Sequence, residues 1–355
     1  MYDDADDFGF DDLDRQNILE QKWQEQLRMV HSFSNRLPPP VYVVEPILPV
    51  PSLNVVYGPP GSFKSLFVAD AVTCIACGQT WLVGDSGGCT FPTTQQTVLW
   101  LDADNGRRRT IERFSALRIG HRVHDRDIPL HILTMPKPNF NASKVYHVSA
   151  IGQILRDVGA RVLVLDNLGV IAGDVDENSL DIAHVMANFR HLAEDEEIAV
   201  VVIHHERKTG FTKSRAGDSL RGHSSIEASI DLALRIERTE GSESINVSAT
   251  KSREAHVEPF RVRFVYEQHE DSTLLQSARF ESIPVLNAND SKIDQEIKRA
   301  LTKSKPNTGE LVESVTVATG AGREKVRSRI TELVNRKEII AIPNGQNNAT
   351  YYRLP

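Results

Sequence analysis

At 355 residues, with 40% apolar and 25% charged side chains, the chain is long enough for two domains and too apolar for a disordered or fibrous class. Three cysteines, an acidic N-terminus without a signal-peptide pattern and no apolar run of about 18 residues lead us to expect a cytoplasmic protein with no membrane partner. The net charge of −7 would argue against nucleic acid if it were spread evenly, but basic residues gather in particular segments.

Residues 1–12 form an acidic tail with too little apolar content to bury, expected to be disordered. Leu13, Ile18, Trp23, Leu27 and Val30 recur at helical spacing and predict an amphipathic helix that packs on a neighbour. Pro38-Pro39-Pro40 then makes a stiff linker, which separates a 1–37 segment from a domain over 38–267.

The apolar run Leu53-Asn54-Val55-Val56-Tyr57 leads into Gly58-Pro59-Pro60-Gly61-Ser62-Phe63-Lys64-Ser65, and Leu66 to Val72 follow as the start of a helix. Strand, glycine turn and helix start together make a phosphate cradle, because backbone N–H groups at a helix N-terminus point at the anion. In this P-loop reading Lys64 reaches the terminal phosphates of a nucleotide and the Ser65 hydroxyl holds Mg²⁺. Phe63 stands where the motif has its second glycine, so its side chain must point away from the phosphates. Cys74 and Cys77 form a C-x-x-C in that helix without a second ligand pair, which favours packing over metal or redox work.

A polar, glycine-rich loop from Gly84 to Thr94 precedes the next apolar run, Thr97 to Leu101, which ends in Asp102-Ala103-Asp104-Asn105-Gly106. A carboxylate at a strand end beside a P-loop can polarise the water that attacks a γ-phosphate, with Asp104 the candidate and Asp102 the reserve. The alternative is that these acids cap the helix starting near Arg107, whose Arg107-Arg108-Arg109 reads as a solvated first turn. Ala160 to Leu165 is a buried run closed by Asp166, the arrangement in which a carboxylate holds Mg²⁺ through water. Ile198 to Ile203 is another, with His204-His205 at its carboxyl end, and His205 is placed to sense a γ-phosphate by hydrogen bonding. Alternating strands and helices of this kind predict an α/β fold, a mainly parallel sheet covered by helices on both faces with ligands at the carboxyl ends of strands.

Between Glu206 and Arg221 the chain is hydrophilic, and Lys208, Lys213, Arg215 and Arg221 suit contact with a DNA phosphate backbone. Ser242 to Ser248 and Phe260 to Tyr266 alternate like hairpin strands with Lys251-Ser252-Arg253 between them, and 268–290 reads as a polar connector. Over 291–355, apolar spacing gives helices around Ile293–Leu301, Leu311–Val315 and Val326–Val334. A hairpin about Asn344-Gly345 then completes a winged-helix domain. This span holds twelve Lys and Arg against seven Asp and Glu, and Arg323, Lys325, Arg327 and Arg329 open the third helix, the one that would enter a DNA major groove. A winged helix used only for protein contacts is the alternative.

Over roughly residues 45–266 these motifs resemble the RecA-like ATPases of the DnaB and RepA hexameric helicase group, particularly the stand-alone RepA-type ATPases of plasmids and phages. Leu101-Asp102-Ala103-Asp104 is similar to the strand that carries the family's catalytic Glu, with Asp104 as a shorter acid at that position. Val164-Leu165-Asp166-Asn167 resembles the Walker-B strand, and His204-His205 the paired histidines of RepA. Leu220 to Asp231 is similar to the segment beside the DNA-facing loop, with Ala228 in place of a glutamine. Lys251-Ser252-Arg253 resembles the K-x-R pair that reaches a neighbouring subunit's γ-phosphate. The resemblance implies ATP and Mg²⁺ as cofactors, a homo-oligomeric ring of six subunits, single-stranded DNA through the ring, and a replicative helicase of a mobile element. The N-terminal helix would strap subunits together. A DNA-binding ATPase acting as loader or regulator, and a RecA-like recombinase or KaiC-like kinase, are the other readings.

Overall fold

The computed structural model describes residues 21, 23, 39–84, 88–123, 128–173, 175, 181–206, 224–238, 241–270, 272–285, 288–335, 338–343 and 349–355. The acidic tail, nearly all of the N-terminal helix and the Asn344-Gly345 turn lie outside them.

β1 (Val41–Val44) and β2 (Leu48–Val50) form a small antiparallel pair ahead of β3 (Ser52–Gly58). β3, β4 (Val98–Asp102), β5 (Leu130–Thr134), β6 (Val162–Asp166), β7 (Ala199–His205) and β8 (Leu232–Arg238) pair in parallel. β9 (Ser244–Ser252), β10 (Phe260–Gln268) and β11 (Leu275–Ile283) extend the sheet antiparallel beyond β8. The resulting nine-stranded order is β11-β10-β9-β8-β3-β7-β6-β4-β5, a RecA-like, mainly parallel arrangement. The helices of this part are α1 (Lys64–Cys77), α2 (Arg107–Gly120), α3 (Val145–Val158), α4 (Leu168–Ile171), α5 (Ile182–Asp195) and α6 (Ser224–Ser229).

Successive strand residues point to opposite faces, so each central strand feeds two cores. Val56, Val164 and Val201 pack with Phe67 of α1 and Phe114 of α2 on one face. Val55, Leu165 and Val202 pack with Leu155 of α3 and Phe189 of α5 on the other. Burial on both faces is why these strands read as unbroken apolar runs. The sheet does not stop at 267. The expected connector 268–290 contains β11, which pairs along β10 from Arg261↔Ile283 onward. In β11 burial alternates through Ala278, Phe280 and Ser282 with Ile283 at the end, and the partly exposed Ser277, Arg279 and Glu281 between them make the segment read as a polar linker. Between β11 and the next helix, which starts at Ala288, Pro284 and Val285 are described.

The C-terminal region holds α7 (Ala288–Lys303), α8 (Thr308–Thr319), α9 (Arg323–Asn335) and the antiparallel pair β12 (Ile340–Pro343) with β13 (Thr350–Arg353). Its own core joins Ile297, Leu311, Val315, Ile330, Leu333 and Tyr352. Asn307 and Glu310 make a reciprocal capping box at the start of α8, each side chain bonding the other's backbone N–H at 3.0 Å. One expectation for α9 fails. Arg329 does not project outward: it is 5% exposed and its guanidinium forks onto Asp294 at 2.9 and 2.6 Å, with Glu332 as a further partner. Arg323, Lys325 and Arg327 are exposed. Among the described residues no helix is long and apolar enough to cross a membrane.

Candidate functional site

Four neighbouring strands, β4, β6, β7 and β3, bring their carboxyl ends to one edge of the sheet. The register aligns Asp102 with Asp166 and Gly58 with His205. Between β3 and α1 the Gly58–Ser65 loop turns tightly. A side chain on Gly58 would run into the Ile236 carbonyl of β8, and Gly61 has a left-handed φ of 75°. Phe63 is left-handed as well, at φ 68° and ψ 14°, which explains why the motif has glycine there. An L-residue in that region costs about 1–2 kcal/mol. Its ring lies 5.1 Å from that of Phe264 and 6.4 Å from that of Phe280, under the Arg238 guanidinium at 3.8 Å. Such contacts offset the cost at about 0.5–1.5 kcal/mol per aromatic pair. The ring therefore points away from the cradle, as expected from the sequence.

Lys64 is 4% exposed and donates to the Pro59 carbonyl at 2.8 Å, folded back over the loop. Burial pulls its pKa down to about 8, although the carboxylates of Asp166 and Glu206 act in the opposite direction. Ser65 Oγ donates to Asp166 Oδ1 at 3.2 Å, so the last residue of the loop and the end of β6 meet. The Asp166 carboxyl is pushed up to about 7, first by burial and then by Asp102, against the Ser65 bond and Arg113.

Asp102 and Asp104 divide cleanly. Asp102 is 1% exposed. Its Oδ1 accepts from the backbone N–H groups of Asp104 at 2.9 Å and Asn105 at 2.8 Å, and its Oδ2 from Thr110 Oγ1. It anchors the turn ahead of α2 but does not cap that helix, whose N-cap position is Gly106 with no side-chain bond. Asp104 is exposed, and its Oδ2 accepts from Asn167 Nδ2 at 3.0 Å. His205 is exposed at the tip of β7 while His204 is buried. Partial burial lowers the His205 pKa, and Lys64 lowers it further against Asp104.

Three site residues lack a sequence motif. Arg113 on α2 is half-buried and its charge interacts with Asp166, Asp102 and Asp104; burial nevertheless lowers its pKa. Asn105 Nδ2 reaches Asp166 Oδ2 at 3.3 Å. Glu206 donates its backbone N–H to the Gly58 carbonyl at 2.9 Å and pairs with Arg235 at 3.0 Å. Arg113 carries a faint signal, since Arg109 and Arg113 are four apart on a helix that starts beside the acids.

Lys251 and Arg253 are elsewhere. Ser252 pairs with Leu232, which pairs with Asn54, so both cations sit at the amino-terminal edge of the parallel strands, opposite the P-loop. Lys251 Nζ donates to the Glu227 carbonyl. The Arg253 guanidinium, half-exposed, bonds the Ala228 carbonyl at 2.6 Å and Asp231 at 3.3 Å. Lys208, Lys213, Arg215 and Arg221 lie outside the described residues. Cys74 is buried with its Sγ 3.7 Å from both ring nitrogens of His121, hence over the ring rather than in line with either lone pair; burial pushes its thiol pKa up. Asp70 Oδ1 lies 2.6 Å from His121 Nε2, so Asp70, Cys74 and His121 are close enough together to offer a metal ion three ligand atoms.

A family model described as AAA domain matches residues 21–210, from ahead of the P-loop through β7. No curated protein matches the chain.

Proposed function

Because the chain belongs to this AAA domain family of P-loop ATPases, we propose that it is an ATP- and Mg²⁺-dependent, ring-forming DNA motor, a replicative helicase of a plasmid or phage. The observation that carries this reading is the division of the chemistry between two edges of one sheet. Lys64, Ser65, Asp104, Asp166 and His205 share the carboxyl edge, and Lys251 and Arg253 the amino edge. Cations on the amino edge are too far from their own nucleotide to assist it, and a neighbour in a homohexamer would receive them.

Ser65 Oγ and the Asp166 carboxylate are hard oxygen donors already in contact, and a buried carboxyl with a raised pKa gains from a nearby cation, so these residues fit Mg²⁺. Held by Ser65 and Asp166, Mg²⁺ would supply positive charge against the nucleotide phosphates. The Lys64 ammonium leaves the Pro59 carbonyl for the phosphate oxygens. Asp104 accepts the proton of the water whose oxygen attacks the γ-phosphorus as the β–γ bridging P–O bond breaks. His205 hydrogen-bonds a γ-phosphate oxygen and reports its loss through the Glu206 backbone, which is tied to Gly58. The C-terminal module, three helices and a hairpin, is read as a winged helix that contacts duplex DNA through Arg323 and Arg327, while Lys325 pairs with Asp290 of α7 at 2.8 Å.

Two measurements test this. Mixing Lys64→Ala with Arg253→Ala subunits restores part of the ATPase activity that each lacks alone, since intact Lys64 sites then face intact Arg253 donors; no recovery in demonstrably mixed assemblies removes the finger in trans. Strand displacement on forked DNA distinguishes a motor from a loader or regulator, which would hydrolyse ATP on DNA without unwinding it.

A further inference from the structure

The phosphate loop is gripped by β8 and by the antiparallel strands β9 to β11 that extend the sheet beyond it, all past the matched family region. Two contacts make the grip. The Ile236 carbonyl of β8 occupies the space a side chain on Gly58 would need. Two residues further along β8, Arg238 lays its guanidinium 3.8 Å over the ring of Phe63 and donates to the Gly61 carbonyl at 3.4 Å. The same guanidinium is fixed from behind by the Ser242 carbonyl at 2.7 Å and by Glu243 at 3.4 Å. Beneath Phe63, the rings of Phe264 and Phe280 from β10 and β11 complete the stack.

The sidedness of this contact decides its role. A P-loop turns its N–H groups toward the anion, and Arg238 bonds a loop carbonyl, so the guanidinium stands behind the cradle rather than in it. Phe63 precedes Lys64, and its left-handed turn sets the direction of the Lys64 N–H and side chain. A glycine at this position holds that turn without strain, whereas a phenylalanine holds it only while its ring is held. We propose that Arg238 is a positioning residue for the nucleotide phosphates, acting through the face of Phe63, and that strands β8 to β11 thereby set the affinity of the phosphate loop. The inference rests on nucleotide binding by Lys64 and is independent of any action on DNA.

The test is a double-mutant cycle read by titration of the full chain with a fluorescent ATP analogue and by steady-state ATPase. Arg238→Ala is expected to raise Kd and KM about 5- to 10-fold with kcat within about twofold, the magnitude of a partly desolvated cation–π contact plus one hydrogen bond. In a Phe63→Leu background, which removes the aromatic face and leaves only the Gly61 bond to lose, the same substitution raises Kd by about 2- to 3-fold. Arg238→Lys, which keeps the charge without the planar fork, falls between. An equal loss in both backgrounds, or none in either, overturns the proposal and leaves Arg238 as a local brace for Ser242 and Glu243. Arg238→Gln replaces Arg238→Ala in the cycle if the alanine variant does not fold, with the same two readings. Failure of the unmodified chain to bind the analogue would instead refute the P-loop reading.

Discussion

Asp104→Asn and Asp102→Asn, two residues apart on one strand end, have opposite expected effects. Asp104 is exposed and accepts one side-chain bond, from Asn167, which an asparagine carbonyl can still accept. Its replacement should leave stability within about 0.5 kcal/mol. It should lower kcat by about 10²- to 10⁴-fold, the contribution of a positioned general base, with nucleotide affinity retained. Asp102 is buried and accepts from two backbone N–H groups and the Thr110 hydroxyl. Bonds to a charged acceptor contribute about 1.5–3 kcal/mol each, and asparagine keeps one of the two acceptor oxygens, so a loss of about 2–4 kcal/mol follows. Melting curves together with phosphate release at saturating ATP separate the two. Normal turnover by Asp104→Asn, with turnover lost and stability kept in Asp102→Asn, would refute the assignment of the base.

Asp166 makes stability depend on pH. Its folded pKa, about 7 against 3.8, means the folded chain holds a proton that the unfolded chain releases, so the associated stability is full below pH 3.8 and is lost as pH rises to about 7. At about 1.4 kcal/mol per pKa unit the drop is at most roughly 4 kcal/mol. Chemical denaturation of the nucleotide-free protein between pH 5 and 7 should show this slope, and Asp166→Asn should flatten it; a flat profile in the unmodified protein contradicts the reasoning. Arg329→Ala should cost about 3–5 kcal/mol by leaving Asp294 buried without its partner. Arg323→Ala and Arg327→Ala, which share a face of α9, should each melt normally and reduce the salt dependence of duplex binding, by about one counterion apiece. Salt titrations unaltered by both would favour a module that binds protein.

What the sequence discloses follows how completely an element is buried. β3, β4, β6 and β7 lie in the middle of the sheet, and each announces itself as an apolar run with a functional residue at its carboxyl end. β5 at one edge and β11 at the other have half-exposed faces, and no run marks either. Asp102 and Asp166 are legible because a strand end fixes where its last side chain goes, and Lys64 because the glycine loop fixes the helix start, whereas Arg113 depends on the rotation of a helix against that edge. Arg329 shows the limit most clearly. Arg323, Lys325, Arg327 and Arg329 alternate in sequence, but steps of two residues advance about 200° around a helix, so four such cations cannot share a face. Arg329 stands three residues after Val326 and four before Leu333, both buried, which places it on the core side of α9. Helical spacing alone therefore argued against a groove contact for this arginine. Its partner was not legible in the same way: Asp294 lies 35 residues earlier on α7. An acid on one amphipathic helix and a cation on another each read as solvated until packing brings them together.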